Sequence, residues 1–306
     1  MQNITRIILI TIFVVPGLLL KNAAISLLGG LLVALLVNLP QDFLTKKIGS
    51  KLLQVAVVFL GATISLDAAI EYGENYSLLI SVFVIGVFLV AILLGKLLKV
   101  PKLEGYLIAA GSAICGATAI ATLAPIIKAK PKEISAAIGI VFLLNLLAII
   151  IFPYLGNIME LTQEQFGIWA ALAIHDTSSV VGASTLYGVE ALKIAATLKV
   201  IKTLWIVPLV IFSSYIYKRD AKGYGLPMFI ILFLLAVIAN YFFIFPLFFT
   251  NLLSTISSTL LLLGLFCIGT QIDRDSLKFL FSGTVLQAVI LWILVVSVSL
   301  FVVINY

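Results

Sequence analysis

Apolar runs long enough to enter a lipid bilayer alternate with short charged or Pro/Gly-marked breaks along the whole chain. They fall at Ile7–Leu20, Ala23–Leu39, Leu52–Leu66, Tyr76–Gly95, Tyr106–Ile127, Ile134–Phe152, Phe166–Leu186, Ile194–Tyr217, Leu226–Phe245, Leu253–Ile272 and Ser282–Ile304. A helix needs about 20 apolar residues to cross the hydrocarbon, and open sheets leave backbone groups unsatisfied in lipid. The pattern therefore predicts an all-α polytopic membrane protein with roughly nine to eleven membrane segments, forming a single transmembrane domain over residues 1–306. The first run, after Arg6, reads as a retained helix rather than a cleaved signal, because many further spans follow it.

Composition agrees. Of the 306 residues 63% are hydrophobic and 10% charged, against roughly 25% charged in soluble domains. The net charge of +6 does not indicate nucleic-acid binding, because the Lys residues cluster in short loops between apolar runs, as cytoplasmic loops do. Cys115 and Cys267 lie in apolar runs without metal-type spacing, so neither a disulfide framework nor a metal site is expected. No cofactor is expected either.

Loop charge orients the segments. Loops with Lys46 and Lys47, with Lys96, Lys99 and Lys102, with Lys128, Lys130 and Lys132, and with Lys218, Arg219 and Lys222 are basic and should be cytoplasmic. Asp67, Glu71, Glu74, Glu160, Glu164 and Glu190 mark the opposite loops. Alternation places the amino terminus in the cytoplasm, with one conflict. Tyr106–Ile127 has basic loops at both ends and Phe166–Leu186 has acidic residues at both ends, so full crossings would put Lys128 to Lys132 outside.

Those two segments are also rich in small and hydroxyl residues. The first holds Gly111, Ser112, Ala113, Ile114, Cys115, Gly116, Ala117 and Thr118; the second holds His175, Asp176, Thr177, Ser178, Ser179, Val180, Val181, Gly182, Ala183 and Ser184. Small residues also permit close helix packing, which accounts for Gly and Ala. It does not account for a His-Asp pair, since ionisable groups in a span cost about 2.5 to 3.5 kcal/mol each. Broken helices, re-entrant or discontinuous, are expected here, because irregular backbone at that depth is tolerated only in protein or beside a watery cavity. An inverted repeat is a further expectation, hinted at by these two patches and by the likeness of Gly61-Ala62-Thr63-Ile64 to Gly269-Thr270-Gln271-Ile272.

The candidate chemistry sits at the breaks. His175 is the single histidine, a side chain able to take up and release a proton near neutral pH, and Asp176 follows it. They are candidates for proton coupling, and Asp176 is equally suited to cap a second half-helix. Lys199 and Lys202 share a helical face inside an apolar run, with Thr203 beside Lys199; they either attract an anion or snorkel to the interface. Half-helix amino termini bind anions through free N–H groups. Ser112, Cys115, Gly116, Thr118, Thr177, Ser178, Ser179 and Gly182, with Lys199 and Lys202, are thus the candidate substrate-binding set. Asn38, Asn145, Asn240 and Gln54 read as interhelical hydrogen-bond formers.

The stretch Ala173 to Ala183 resembles the sulfate exporter family of bacterial inner-membrane proteins, the YeiH type. Gly111 to Ile120 is similar to that family's Cys-Gly-Gly-Ser-Ala-Ile-Ala region, Lys199 to Pro208 to its Lys-x-x-Arg-x-x-x-x-x-Pro helix, and Gly61 to Leu66 and Gly264 to Thr270 to its Gly-Leu type helix ends. The likeness covers nearly the whole chain. Two positions depart from it: Cys115-Gly116-Ala117-Thr118 loses a glycine, and Lys202 stands where the family often has Arg, keeping charge without a bidentate fork. The resemblance implies export of sulfate or a related oxyanion across the bacterial inner membrane.

Residues and resemblance together predict a secondary transporter of a small anion, working by alternating access and coupled to protons or another ion. The lipid bilayer is its medium and homodimerisation is left open. A cation/proton antiporter built on Asp176 and His175 is the alternative. An enzyme is not expected, since Gly-x-Ser-x-Gly and His-Glu-x-x-His patterns are lacking.

Overall fold

The computed structural model describes residues 2–21, 23–37, 40, 43–64, 66–217, 228–243, 245–270 and 283–305. Among these residues there are fourteen helices and no strand: α1 (Gln2–Leu19), α2 (Ala23–Leu36), α3 (Leu44–Gly61), α4 (Leu66–Leu97), α5 (Lys102–Ala113), α6 (Ala117–Ile127), α7 (Pro131–Ile158), α8 (Gln163–Ala173), α9 (Thr177–Tyr187), α10 (Val189–Thr203), α11 (Ile206–Ile216), α12 (Met228–Phe243), α13 (Leu247–Gly269) and α14 (Gly283–Asn305). Every apolar run found in the sequence coincides with a helix or a pair of helices. Five, within Ile70–Leu97, Ala136–Ile158, Val189–Ile216, Phe248–Gly269 and Gly283–Asn305, are long and apolar enough to cross a membrane. The chain is an all-α polytopic membrane protein. Asn38, the basic loop of Lys218, Arg219 and Lys222, and the pair Gln271-Ile272 lie outside the described residues.

One boundary moves substantially. The run Tyr76–Gly95 becomes α4, which starts at Leu66 and is 32 residues long, about 48 Å at 1.5 Å per residue. That exceeds the roughly 30 Å hydrocarbon thickness. Ala68, Ala69, Glu71 and Glu74 extend the helix as good helix formers, and their polar members carry it beyond the apolar layer.

The chain divides into two compact units, Met1–Ala68 with Met228–Leu277, and Ala69–Pro227 with Lys278–Tyr306. In the first, α13 packs against α2 and α3, α1 against α2, and α12 against α3. Small residues set these crossings: a β-carbon on Gly30 would lie 2.0 Å from the Phe266 carbonyl oxygen, and one on Gly269 2.3 Å from that of Leu27. Ser257 Oγ donates to the Ala56 carbonyl at 2.8 Å. Thr63 and Thr270 instead close the ends of their own helices, α3 and α13, each donating at 2.7 Å to the carbonyl three residues back. In this unit close packing is what the small residues achieve.

The second unit contains both breaks. At one face, Tyr187 at the end of α9 stacks on Phe166 near the start of α8, with ring centroids 3.8 Å apart, and its hydroxyl donates to the Leu161 carbonyl. Gln163 Oε1 accepts from the amides of Glu190 at 2.9 Å and Ala191 at 3.2 Å. A straight helix would hold residues 166 and 187 about 30 Å apart, so α8 and α9 form a hairpin that enters and leaves by the same face. The start of α4 joins that face through Tyr76 and Glu164, as does the end of α7, where Gly156 meets Phe166 and Tyr187.

The α5–α6 pair enters from the other face. Thr284 donates to Glu104 at 2.6 Å, Gln287 to the Ala91 carbonyl at 2.8 Å, and Tyr106 shares a 2.7 Å hydrogen bond with Ser213 near the end of α11. The backbone of Gly111 lies against Ile120, although nine residues of straight helix would separate them by about 13.5 Å. α6 then packs beside α11 and α7, and α7, starting at Pro131, runs on to the face that holds the α8–α9 hairpin. The result is two re-entrant hairpins from opposite faces. Lys102 and Lys130 therefore share one face, and Glu160 and Glu190 the other, which removes the conflict in the loop charges.

Single cysteines at Lys102 and Lys130 should react with a membrane-impermeant maleimide from the same side, and at Met159 and Glu190 from the other. The native thiols, Cys115 and Cys267, are buried and free. Labelling of positions 102 and 130 from opposite sides would show α5–α6 to be a crossing.

Candidate functional site: two hairpin tips at mid-depth

Each hairpin is turned by residues unsuited to continuing a helix. α5 stops where Ile114 adopts φ −116°, ψ −87°, and α6 is entered through Gly116 at φ +60°, ψ −126°, a conformation open to glycine and strained for a residue with a β-carbon. α8 opens with a capping box in which the Thr162 hydroxyl accepts from the Gln165 amide at 3.1 Å and Gln165 Oε1 from the Thr162 amide at 3.0 Å. It closes with Ile174 in the extended region. Asp176 is the N-cap of α9, accepting from the Ser179 amide at 3.2 Å and the Ser179 hydroxyl at 3.4 Å.

The two tips meet. A β-carbon on Gly116 would sit 3.3 Å from Cβ of Asp176, 3.4 Å from its Cα and 3.3 Å from Val141 Cγ1. Asn145 Oδ1 accepts from the His175 amide at 3.1 Å. Val141 and Asn145 lie near the middle of α7, which spans 28 residues, so the tips sit at mid-depth. Half-helices of 11 or 12 residues are about 17 Å long, half the hydrocarbon thickness.

Lys199 and Lys202 are 0% exposed, so neither snorkels. Lys199 Nζ donates to the carbonyls of Ile174 at 2.6 Å and Ala171 at 3.3 Å, and Lys202 Nζ to that of Leu172 at 2.6 Å. These are the carbonyls freed where α8 ends, at the negative pole of its dipole. Lys202 Nζ also lies 5.2 Å from the centre of the Phe83 ring. Thr203 does not assist the ammonium groups; its hydroxyl donates to the Lys199 carbonyl at 2.7 Å. An ammonium has three donors, so both lysines retain capacity beyond the carbonyls they hold.

The remaining candidates gather around the tips. His175 is fully buried, and neither ring nitrogen has a hydrogen-bond partner among the described residues. Ser112 Oγ is buried in the same condition, and Cys115 is a buried free thiol. Thr177, Ser178, Ser179 and Gly182 are buried in the first turns of α9, while Asp176 and Thr118 are half-buried. α6 has no side-chain cap from its N-cap residue, Gly116; the Cys115 sulfur accepts from the Ala119 amide in its first turn. Two buried lysines, the Asp176 carboxylate and the amino terminus of α6 thus come together at mid-depth.

Asn145 and Phe83 are part of this site and were not legible as such. Asn145 stood out as an amide in an apolar run, without a sign of its partner. Phe83 carries no sequence signal at all, since an aromatic residue in a membrane helix is ordinary.

Fold and site define a polytopic helical membrane protein with two opposed re-entrant hairpins. The chain belongs to the family described as conserved hypothetical protein 698, whose model matches residues 7–281. It is 38% identical over 300 residues to a UPF0324 membrane protein of Bacteroides thetaiotaomicron, covering 93% of this chain and 88% of that one. It is 42% identical over 254 residues to a UPF0324 membrane protein of Porphyromonas gingivalis, covering 81% and 77%. A third, from Shewanella oneidensis, is 38% identical over 281 residues, covering 91% and 88%. No solved structure matches the chain.

Lys199→Met leaves the carbonyls of Ala171 and Ile174 without their donor, a loss of about 1 to 3 kcal/mol. The thermal unfolding midpoint in detergent should fall accordingly. Gly116→Ala should lower it too, by forcing a β-carbon into a glycine conformation against Asp176; an unchanged midpoint in both variants would remove the tip geometry described above.

Proposed function

We propose that this protein is a secondary transporter of a small anion, sulfate or a related oxyanion, acting by alternating access in the bacterial inner membrane. The observation that carries this reading is the charge at the tips: Lys199 and Lys202 are buried with backbone carbonyls as their partners, and among the described residues Asp176 is the one carboxylate at the junction. Burying unbalanced charge is costly, and an anion at the amino terminus of α6 relieves it. The resemblance of residues 173–183 and 199–208 to the sulfate exporter family supplies the substrate class. Its lysine-rich face, with Lys102 and Lys130, is the cytoplasmic one by the distribution of positive charge.

In this reading the anion is held by Lys202, Lys199 and the first turns of α6 and α9, with Thr118, Thr177, Ser178 and Ser179 offering hydroxyls. His175 or Asp176 couples its movement to protons. This reading calls for no covalent step and makes the protein a carrier.

A second reading is a cation/proton antiporter centred on Asp176. It is favoured by the fact that both ammonium groups already hold carbonyls of α8, a role they could fill without touching a substrate.

Radiolabelled sulfate flux into proteoliposomes, with and without a pH gradient, tests the proposal. Sulfate uptake should depend on the gradient, and Lys202→Met should reduce it at least about tenfold, equivalent to 1.4 kcal/mol. Absence of flux for every oxyanion tested at either pH would sink the substrate claim. Sodium or potassium exchange for protons that survives Lys202→Met and is lost in Asp176→Asn would establish the antiporter instead.

A further inference from the structure

A cleft of about 290 Å³ opens between α4, the tip of the first hairpin and α11, lined by apolar side chains. Its floor is Val84, Ala113, Ile114 and Leu209, of which Ala113 and Ile114 are 0% exposed. Its rim is Ile85, Leu89 and Phe212, 47%, 61% and 50% exposed. That rim continues a stripe on α4, Leu78, Val82, Ile85, Leu89 and Leu93, whose large apolar side chains all face outward. The stripe is the surface that α4 presents to lipid, so the cleft is an indentation of the protein–lipid boundary.

Depth and chemistry decide the occupant. The floor is the turn of the α5–α6 hairpin, which the Gly116–Asp176 contact places in the middle of the bilayer. The lining offers no set of polar partners, and water needs two to four of them to settle in a cavity. An apolar cavity of ~150 Å³ stays dry and takes up small hydrocarbons, and this one is nearly twice as large. Left empty it would forfeit the dispersion contacts of its whole lining. Hydrocarbon is the only solvent at its mouth.

We infer that the cleft holds one acyl chain of a bilayer phospholipid, laid against Ala113 and Ile114 at the tip of the first hairpin. The inference stands apart from what the protein carries. It makes the lipid a structural neighbour of that hairpin, in contact with Ala113 and Ile114 beside the turn. Trp205, at the interruption between α10 and α11, lines the same cleft and reports on its contents.

The full-length protein, reconstituted in phosphatidylcholine with bromine atoms at shallow, middle or deep positions of the acyl chain, provides the test. The emission lost on going from the wild type to Trp205→Phe isolates the signal of Trp205. Bromines near the chain end should quench most of that signal, shallow bromines much less, and aqueous acrylamide should leave it intact. Ala113→Phe, which fills the floor, should restore emission from Trp205 in the deep-bromine lipid. Trp205 emission indifferent to bromine at every depth would overturn the inference, as would quenching by acrylamide, which would mean a water-filled cleft. The wild-type depth series decides the matter even where the Ala113 variant fails to fold.

Discussion

A helix that stops halfway through a bilayer exposes carbonyls at one broken end and amides at the other, in a medium that offers neither donors nor acceptors. The architecture of the second unit follows from how those groups are satisfied. The carbonyls that end α8 are held by Lys199 and Lys202, reaching across from α10. The amides that begin α9 are held by Asp176, and the amide of His175 by Asn145 of α7. Two neighbouring helices, α10 and α7, and the turn's own Asp176 thus fix one tip. Two lysines in the membrane interior, which look like a liability in isolation, are what make an interrupted helix tenable there.

The first hairpin is satisfied differently. Its turn closes on itself, the Gly116 amide donating to the Gly111 carbonyl at 2.8 Å, and α6 starts without a side-chain cap. One tip is held by side chains from several helices, while the other rests on glycine geometry and on apolar neighbours. The amino terminus of α6 meets the second tip where Gly116 lies against Asp176.

Several features were plain from residue order. The eleven apolar runs, the broken helices around Gly116 and His175, and the N-cap at Asp176 all rest on local rules: length of apolar run, glycine and hydroxyl content, and the preference of Asp for the start of a helix. Even the charge conflict at the loops was visible, and it contained the answer, because only hairpins place Lys102 and Lys130 together. The early start of α4 was missed, since its polar first turns look like loop when hydropathy alone is followed.

By itself, then, the chain determined its class, its helices and the sites of interruption, because each depends on neighbours within a turn or two along the sequence. The tertiary structure alone decided that both interruptions are re-entrant, that they meet at Gly116 and Asp176, and that Lys199 and Lys202 turn toward α8 and not toward the headgroups. Those outcomes depend on distant residues finding one another, 25 to 30 positions apart for the lysine and asparagine bonds and 60 for Gly116 and Asp176, and a lone ammonium in an apolar run carries no mark of which distant carbonyl it will hold.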